Sequence, residues 1–196
     1  MARIILFGDS LTAGYNPEEM FTDELTRRVQ AAFPELDVIN AGIPGDAAEQ
    51  GLQRIEEHVL KYKADETNKL EVVTVFFGVN DLALHRDVSV MDYQAHLKSI
   101  VEQIGYDKVI VFSAPYVNQR LRFQDRPLTR IEQFVEVAQT LAGELDVPFV
   151  NLLEIMMNDT RRDDWFQADG LHFSSYGYEE LAKLFNQEIK KKREVL

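Results

Sequence analysis

No cysteine occurs among the 196 residues of the chain. Its absence excludes disulfides, a cysteine nucleophile and thiolate metal sites, while saying little about compartment. Cations are scarce as well: 21 Lys and Arg stand against 33 Asp and Glu, for a formal net charge of −12. Such a field repels nucleic acids and anionic bilayers, which bind through clustered Lys and Arg, so neither a nucleic-acid partner nor stable membrane association is expected. Long apolar runs are missing too. Met1-Ala2-Arg3 leads into only four apolar residues, Ile4 to Phe7, too few for the apolar region of an export signal or for a membrane span, and the expected location is the cytoplasm. The one cationic cluster, Lys190-Lys191-Lys192-Arg193, reads as the C-terminal end of a final helix, where positive charge suits the dipole. No linker, repeat or low-complexity segment interrupts the chain, and a 45% hydrophobic content suffices for a core within one domain spanning 1–196.

What is present is an alternation of strand and helix. Apolar, β-branched runs at 4–7, 38–39, 72–77, 109–112 and 149–150 read as strands. Between them, residues 18–32, 47–62, 91–104, 128–145 and 176–191 carry apolar side chains at three- and four-residue spacing, as in Leu97, Ile100, Val101 and Ile104. Strands that are apolar on both faces belong inside a parallel sheet covered by helices. The expected fold is a three-layer α/β/α domain with a doubly wound, five-stranded parallel sheet and right-handed crossovers. The longest irregular stretch, 115–127, carries Tyr116, Arg120, Arg122 and Phe123 and is expected at the rim of a substrate site.

In open parallel sheets ligands bind beyond the carboxyl ends of the strands. Four motifs fall in such places. Gly8-Asp9-Ser10-Leu11-Thr12 follows the first strand, Asn40-Ala41-Gly42-Ile43-Pro44-Gly45 the second and Gly78-Val79-Asn80-Asp81 the third, while Asp169-Gly170-Leu171-His172 precedes the last helix. Ser10, His172 and Asp169 are the residue types of a nucleophile, its base and the acid that fixes the base's tautomer. An Asp three residues before a His can take one ring N–H and leave the other nitrogen facing the serine. Attack on a carbonyl creates an oxyanion, for which the Ser10 N–H, a glycine N–H and the Asn80 side-chain amide are available donors. Either Gly45 or Gly42 could supply the glycine donor.

This order of blocks resembles the SGNH hydrolases, the GDSL family of esterases and lipases, over nearly the whole chain. The resemblance implies a flavodoxin-like fold and a serine esterase or acylhydrolase that forms an acyl-enzyme. It implies Ser10 as nucleophile, His172 as base and Asp169 as orienting acid, with Ser10, Gly45 and Asn80 as the oxyanion hole and no cofactor or metal. The segment Phe76-Phe77-Gly78-Val79-Asn80-Asp81 is similar to the branch that hydrolyses short acetate esters, so a small soluble ester is the expected partner. Many members of the family are exported, and an export signal is the feature this chain does not show. Oligomeric state cannot be read from the residues.

Other residues read less sharply. His58 and His96 fall in charged helical patterns and are expected on solvated faces, and His85 on a surface loop. Trp165 and Phe166 are expected in the core rather than in an acyl pocket. Two other chemistries compete. Ser10, Leu11 and Thr12 could cradle the phosphate of an FMN at a helix N-terminus, and Asp9, Asn80, Asp81 and His172 could ligate a two-metal phosphoesterase site. No Gly-x-Ser-x-Gly elbow occurs, which disfavours the α/β-hydrolase arrangement.

Overall fold

The computed structural model describes residues 2–16, 20–63 and 69–195. Five strands form the central sheet: β1 (Arg3–Gly8), β2 (Asp37–Gly42), β3 (Leu70–Phe76), β4 (Val109–Phe112) and β5 (Phe149–Val150). Every pairing is parallel and the spatial order is β2-β1-β3-β4-β5. The order reverses at β1, so the loops leaving β1 and β3 diverge there and open a crevice at the carboxyl edge. Ile4 to Phe7 are fully buried because β1 is flanked on both edges and covered on both faces, which is why its sequence shows no alternation.

The helices are α1 (Ser10–Ala13), α2 (Glu24–Ala32), α3 (Ala48–Gln53), α4 (Ile55–His58), α5 (Val90–Ile104), α6 (Gln119–Arg122), α7 (Leu128–Glu144), α8 (Leu152–Asn158) and α9 (Ser175–Arg193). The long ones bury one stripe each. In α7 it is Ile131, Phe134, Val135, Ala138, Leu141 and Ala142; in α9 it is Tyr178, Leu181, Ala182, Phe185 and Ile189. Phe185 packs against Phe112 of β4 with ring centroids 4.1 Å apart, tying α9 to the middle of the sheet. The cationic cluster 190–193 does end α9, although Arg193 also pairs with Glu35 and Glu71. Among the described residues no helix is long and apolar enough to cross a membrane.

Three expected features differ. The helix expected over 18–32 begins only at Glu24, residues 17–19 lie outside the described set, and Met20–Phe21 instead pair with Tyr15–Asn16 as a short antiparallel ribbon. The helix expected over 47–62 is broken at Arg54 and Val59 into α3, α4 and a 3₁₀ turn, Leu60–Tyr62. Arg54 turns its side chain inward there, donating to Ala41 O, Gly8 O and Asp46 Oδ2, and lies over the Phe7 ring. The stretch 115–127 is mostly turn and irregular chain, as expected, but contains the one-turn helix α6.

Candidate active site

Gly8 ends β1 where a Cβ would sit 2.2 Å from Thr12 Oγ1 and 2.5 Å from Phe76 O, so only glycine allows the chain to turn sharply into α1. Asp9 caps that helix, its carboxylate accepting from the Leu11 N–H at 2.9 Å. Ser10 is thereby the first residue of α1, with its hydroxyl facing the crevice. Its Oγ lies 3.1 Å from His172 Nε2, and His172 Nδ1 lies 2.6 Å from Asp169 Oδ2.

The second oxygen of Asp169 is also occupied, accepting the backbone N–H groups of Leu171 at 2.9 Å and His172 at 3.0 Å. Partial burial alone would raise this carboxyl, but the His172 hydrogen bond, the two N–H donors and the imidazole charge outweigh it and hold Asp169 down at about 2. The loop 167–172 is closed by the Gln167 N–H to His172 O and by Gln167 Nε2 to Phe173 O. Tyr15 packs on the imidazole with ring centroids 4.6 Å apart.

Ser10, Tyr15, Pro44, Gly45, Asn80, Leu171 and His172 line a cleft of about 390 Å³. Gly45 adopts φ +84°, a left-handed conformation that favours glycine. Among the described residues its N–H has no hydrogen-bond partner, whereas the Gly42 N–H donates to Asn40 Oδ1 at 2.9 Å. Of the two glycines, then, Gly45 both borders the cleft and has a free N–H. Asn80 Nδ2 donates one hydrogen to Asp46 O at 2.9 Å, which leaves the other for the cleft. A larger cavity of about 420 Å³, lined by Lys69, Glu71, Lys108, Lys190 and Arg193 among others, lies by the amino ends of β3 and β4. It contains neither serine nor histidine.

The two aspartates considered as metal ligands spend their oxygens on backbone. Asp9 serves Leu11 and Asp81 accepts from the Ala48 N–H at 2.9 and 3.2 Å. Burial pushes Asp9 up to about 8 and Asp81 to about 6, against the opposing pull of those N–H donors. Among the described residues no group of three metal-ligating side chains converges.

The other histidines divide. His85 is exposed as expected. His58 and His96 are half-buried rather than solvated: His58 Nδ1 lies 3.1 Å from Arg54 O, and His96 Nδ1 is buried close enough to Asp81 to lower that carboxyl. Trp165 is in the core, its indole N–H donating to Asp159 Oδ2 at 2.7 Å, and Phe166 packs beside it near Phe173. Sequence reasoning missed Arg54, Tyr15 and Gln167. Each acts through a contact distant in the chain, and none carries a motif that could have announced it.

The parallel 2-1-3-4-5 sheet covered by helices, with a serine, histidine and aspartate at its carboxyl edge, defines a three-layer α/β/α hydrolase of the flavodoxin-like kind. The chain belongs to the GDSL-like lipase/acylhydrolase family, whose family model matches residues 6–180. It is a carboxylic ester hydrolase. In structure it is similar to the lipase/acylhydrolase from Enterococcus faecalis, with 38% identity, a TM-score of 0.90 and coverage of 98% of this chain and 97% of that one. In sequence it is 27% identical to the thioesterase 1/protease 1/lysophospholipase L1 of Escherichia coli strain K12, over 86% of this chain and 74% of that protein. It is 24% identical to the isoamyl acetate-hydrolyzing esterase 1 homolog of Rattus norvegicus, over 90% of this chain and 77% of that protein.

Proposed function

We propose that this hydrolase is a serine esterase that cleaves short-acyl or small soluble esters, with Ser10 as nucleophile, His172 as general base and Asp169 as orienting acid. The observation that carries the reading is the unbroken relay from Asp169 Oδ2 to His172 Nδ1 at 2.6 Å and from His172 Nε2 to Ser10 Oγ at 3.1 Å, at the wall of a cleft.

Ser10 Oγ attacks the ester carbonyl as His172 Nε2 takes its proton, while Asp169 keeps the Nδ1 proton in place and stabilises the imidazolium that forms. The carbonyl oxygen becomes an oxyanion, facing the N–H groups of Ser10 and Gly45 and the free amide hydrogen of Asn80. Collapse of the tetrahedral species breaks the bond to the alkoxy oxygen, which leaves as an alcohol with the proton returned from His172. Water, activated by the same imidazole, then hydrolyses the acyl-enzyme and releases the acid. Every proton is carried by His172, and Asp169, held at about 2, stays ionised throughout.

A cleft of about 390 Å³ walled by Tyr15, Pro44 and Leu171 suits a small ester, and the isoamyl acetate-hydrolyzing relative acts on one by its name. The test is hydrolysis of p-nitrophenyl esters from acetate to decanoate by wild type and Ser10→Ala. Activity that peaks at acetate or butyrate and vanishes in Ser10→Ala is expected. Equal rates in both proteins would overturn the nucleophile, and a maximum at decanoate would overturn the substrate class.

A further inference from the structure

The segment after β4 is tied to both halves of the site. The Asn118 N–H donates to Gly170 O at 2.9 Å, and Arg122 Nε donates to Asp169 O at 2.8 Å. The Arg122 guanidinium also lies 3.7 Å from Asp169 Oδ2, the oxygen that meets His172 Nδ1. One helical turn later, Arg126 Nε donates to Val79 O at 2.9 Å, the carbonyl of the peptide that carries the Asn80 N–H. The two arginines are joined: the Arg126 N–H donates to Arg122 O at 2.7 Å, and Asp125 pairs with Arg122 at 3.8 Å and contacts Arg126 directly.

None of Asn118, Arg122, Asp125 and Arg126 lines the cleft, so any influence on the reaction passes through the groups they hold. Arg126 is only 5% exposed, and burying a guanidinium is unfavourable unless its hydrogen bonds have a use. Its use here is to fix a peptide plane at the end of β3. Building on the roles proposed for Ser10, His172 and Asn80, we infer that Arg122 and Arg126 are positioning residues. Residues 118–126 form a brace that sets the Asp169–His172 loop through Arg122 and the Val79–Asn80 loop through Arg126, locking base and oxyanion donor into one geometry.

The test compares kcat and KM of Ser10→Ala, Arg122→Gln, Arg122→Lys, and Arg126→Lys alone and in Asn80→Ala, on p-nitrophenyl acetate, with melting curves to verify folding. Full turnover in Ser10→Ala would overturn the reading of the site itself, independently of the arginines. With Ser10→Ala inactive, Arg122→Gln is expected to lose kcat by about 10- to 100-fold with KM little changed, the loss that slight misplacement of reacting groups produces. Arg122→Lys, which keeps the charge and a donor toward Asp169, is expected to recover part of that loss. Arg126→Lys is expected to lose turnover in the wild-type background but little more in Asn80→Ala, because its effect runs through that amide. A folded Arg122→Gln with unchanged kcat would overturn the inference. So would an Arg126→Lys loss of equal size with and without Asn80. Should Arg126→Lys not fold, the Arg122 variants alone decide.

Discussion

Asp169 holds His172 at two points, taking the ring Nδ1 at 2.6 Å with one oxygen and the backbone N–H at 3.0 Å with the other. The carboxylate therefore fixes both where the imidazole is attached and which way it faces. Asp169→Asn keeps the shape but removes the charge and disturbs the tautomer. The expected loss in kcat is about three to four orders of magnitude with a melting temperature close to wild type, by comparison with the same change in other serine triads. A loss below about tenfold would mean that the imidazole does not depend on this partner.

Asn80 is expected to act on turnover alone. Asn80→Ala removes one of the proposed oxyanion donors and should lower kcat by about 100- to 1,000-fold while leaving KM within a few-fold. A rise in KM with unchanged kcat, measured on p-nitrophenyl acetate, would instead assign this amide to ground-state binding.

Gly45 tests the proposed oxyanion hole from the backbone side. A Cβ there meets nothing nearer than Arg86 at 3.6 Å, so Gly45→Ala has room but is strained by φ +84°. The expected cost is about 1 kcal/mol of stability, read by chemical denaturation, together with reduced kcat as the loop relaxes and the N–H turns away. Stability and kcat both at wild-type level would contradict this.

Asp9 predicts a pH dependence of stability rather than of rate. Its folded value of about 8 lies above the ordinary 3.8, so between those values the folded protein keeps a proton that the unfolded chain has released. Stability must fall as pH rises through that window, and Asp81, raised to about 6, adds in the same direction. Asp169 has the opposite sign: its contribution is complete above 3.8 and is lost as pH falls through about 2. Asp9→Asn keeps a capping oxygen for the Leu11 N–H but cannot ionise, so its stability should decline less than wild type between pH 5 and 8 by urea denaturation. Equal declines would show that Asp9 is ionised in the folded protein.

The central strands were legible because β1, β3 and β4 are buried on both faces and read as apolar runs, whereas β2 is only partly buried and shows an apolar run only at Val38–Ile39; the sequence runs at 109–112 and 149–150 coincide with β4 and β5. The residues that meet in the cleft were legible for a related reason. Ser10, Gly45 and Asn80 each lie just past a strand that topology delivers to one edge, and His172 and Asp169 are local to each other. What could not be read are polar side chains that turn inward to distant backbone carbonyls. Arg54 reaches Gly8 O, 46 residues away, and Arg122 reaches Asp169 O, 47 residues away. Such contacts leave no periodic mark: Arg54 looks like an ordinary surface arginine, and the rim position expected for Arg122 does not reveal its partner. The first break of the expected 47–62 helix falls where Arg54 turns in, and the second at Val59.

The most direct measurement is covalent labelling with a fluorophosphonate, which reacts only with a serine activated by its base, followed by peptide mass mapping. A single adduct on Ser10, absent in Ser10→Ala and strongly slowed in His172→Ala, is the predicted result. An adduct on any other residue, or full esterase activity remaining after Ser10 is labelled, would contradict the account.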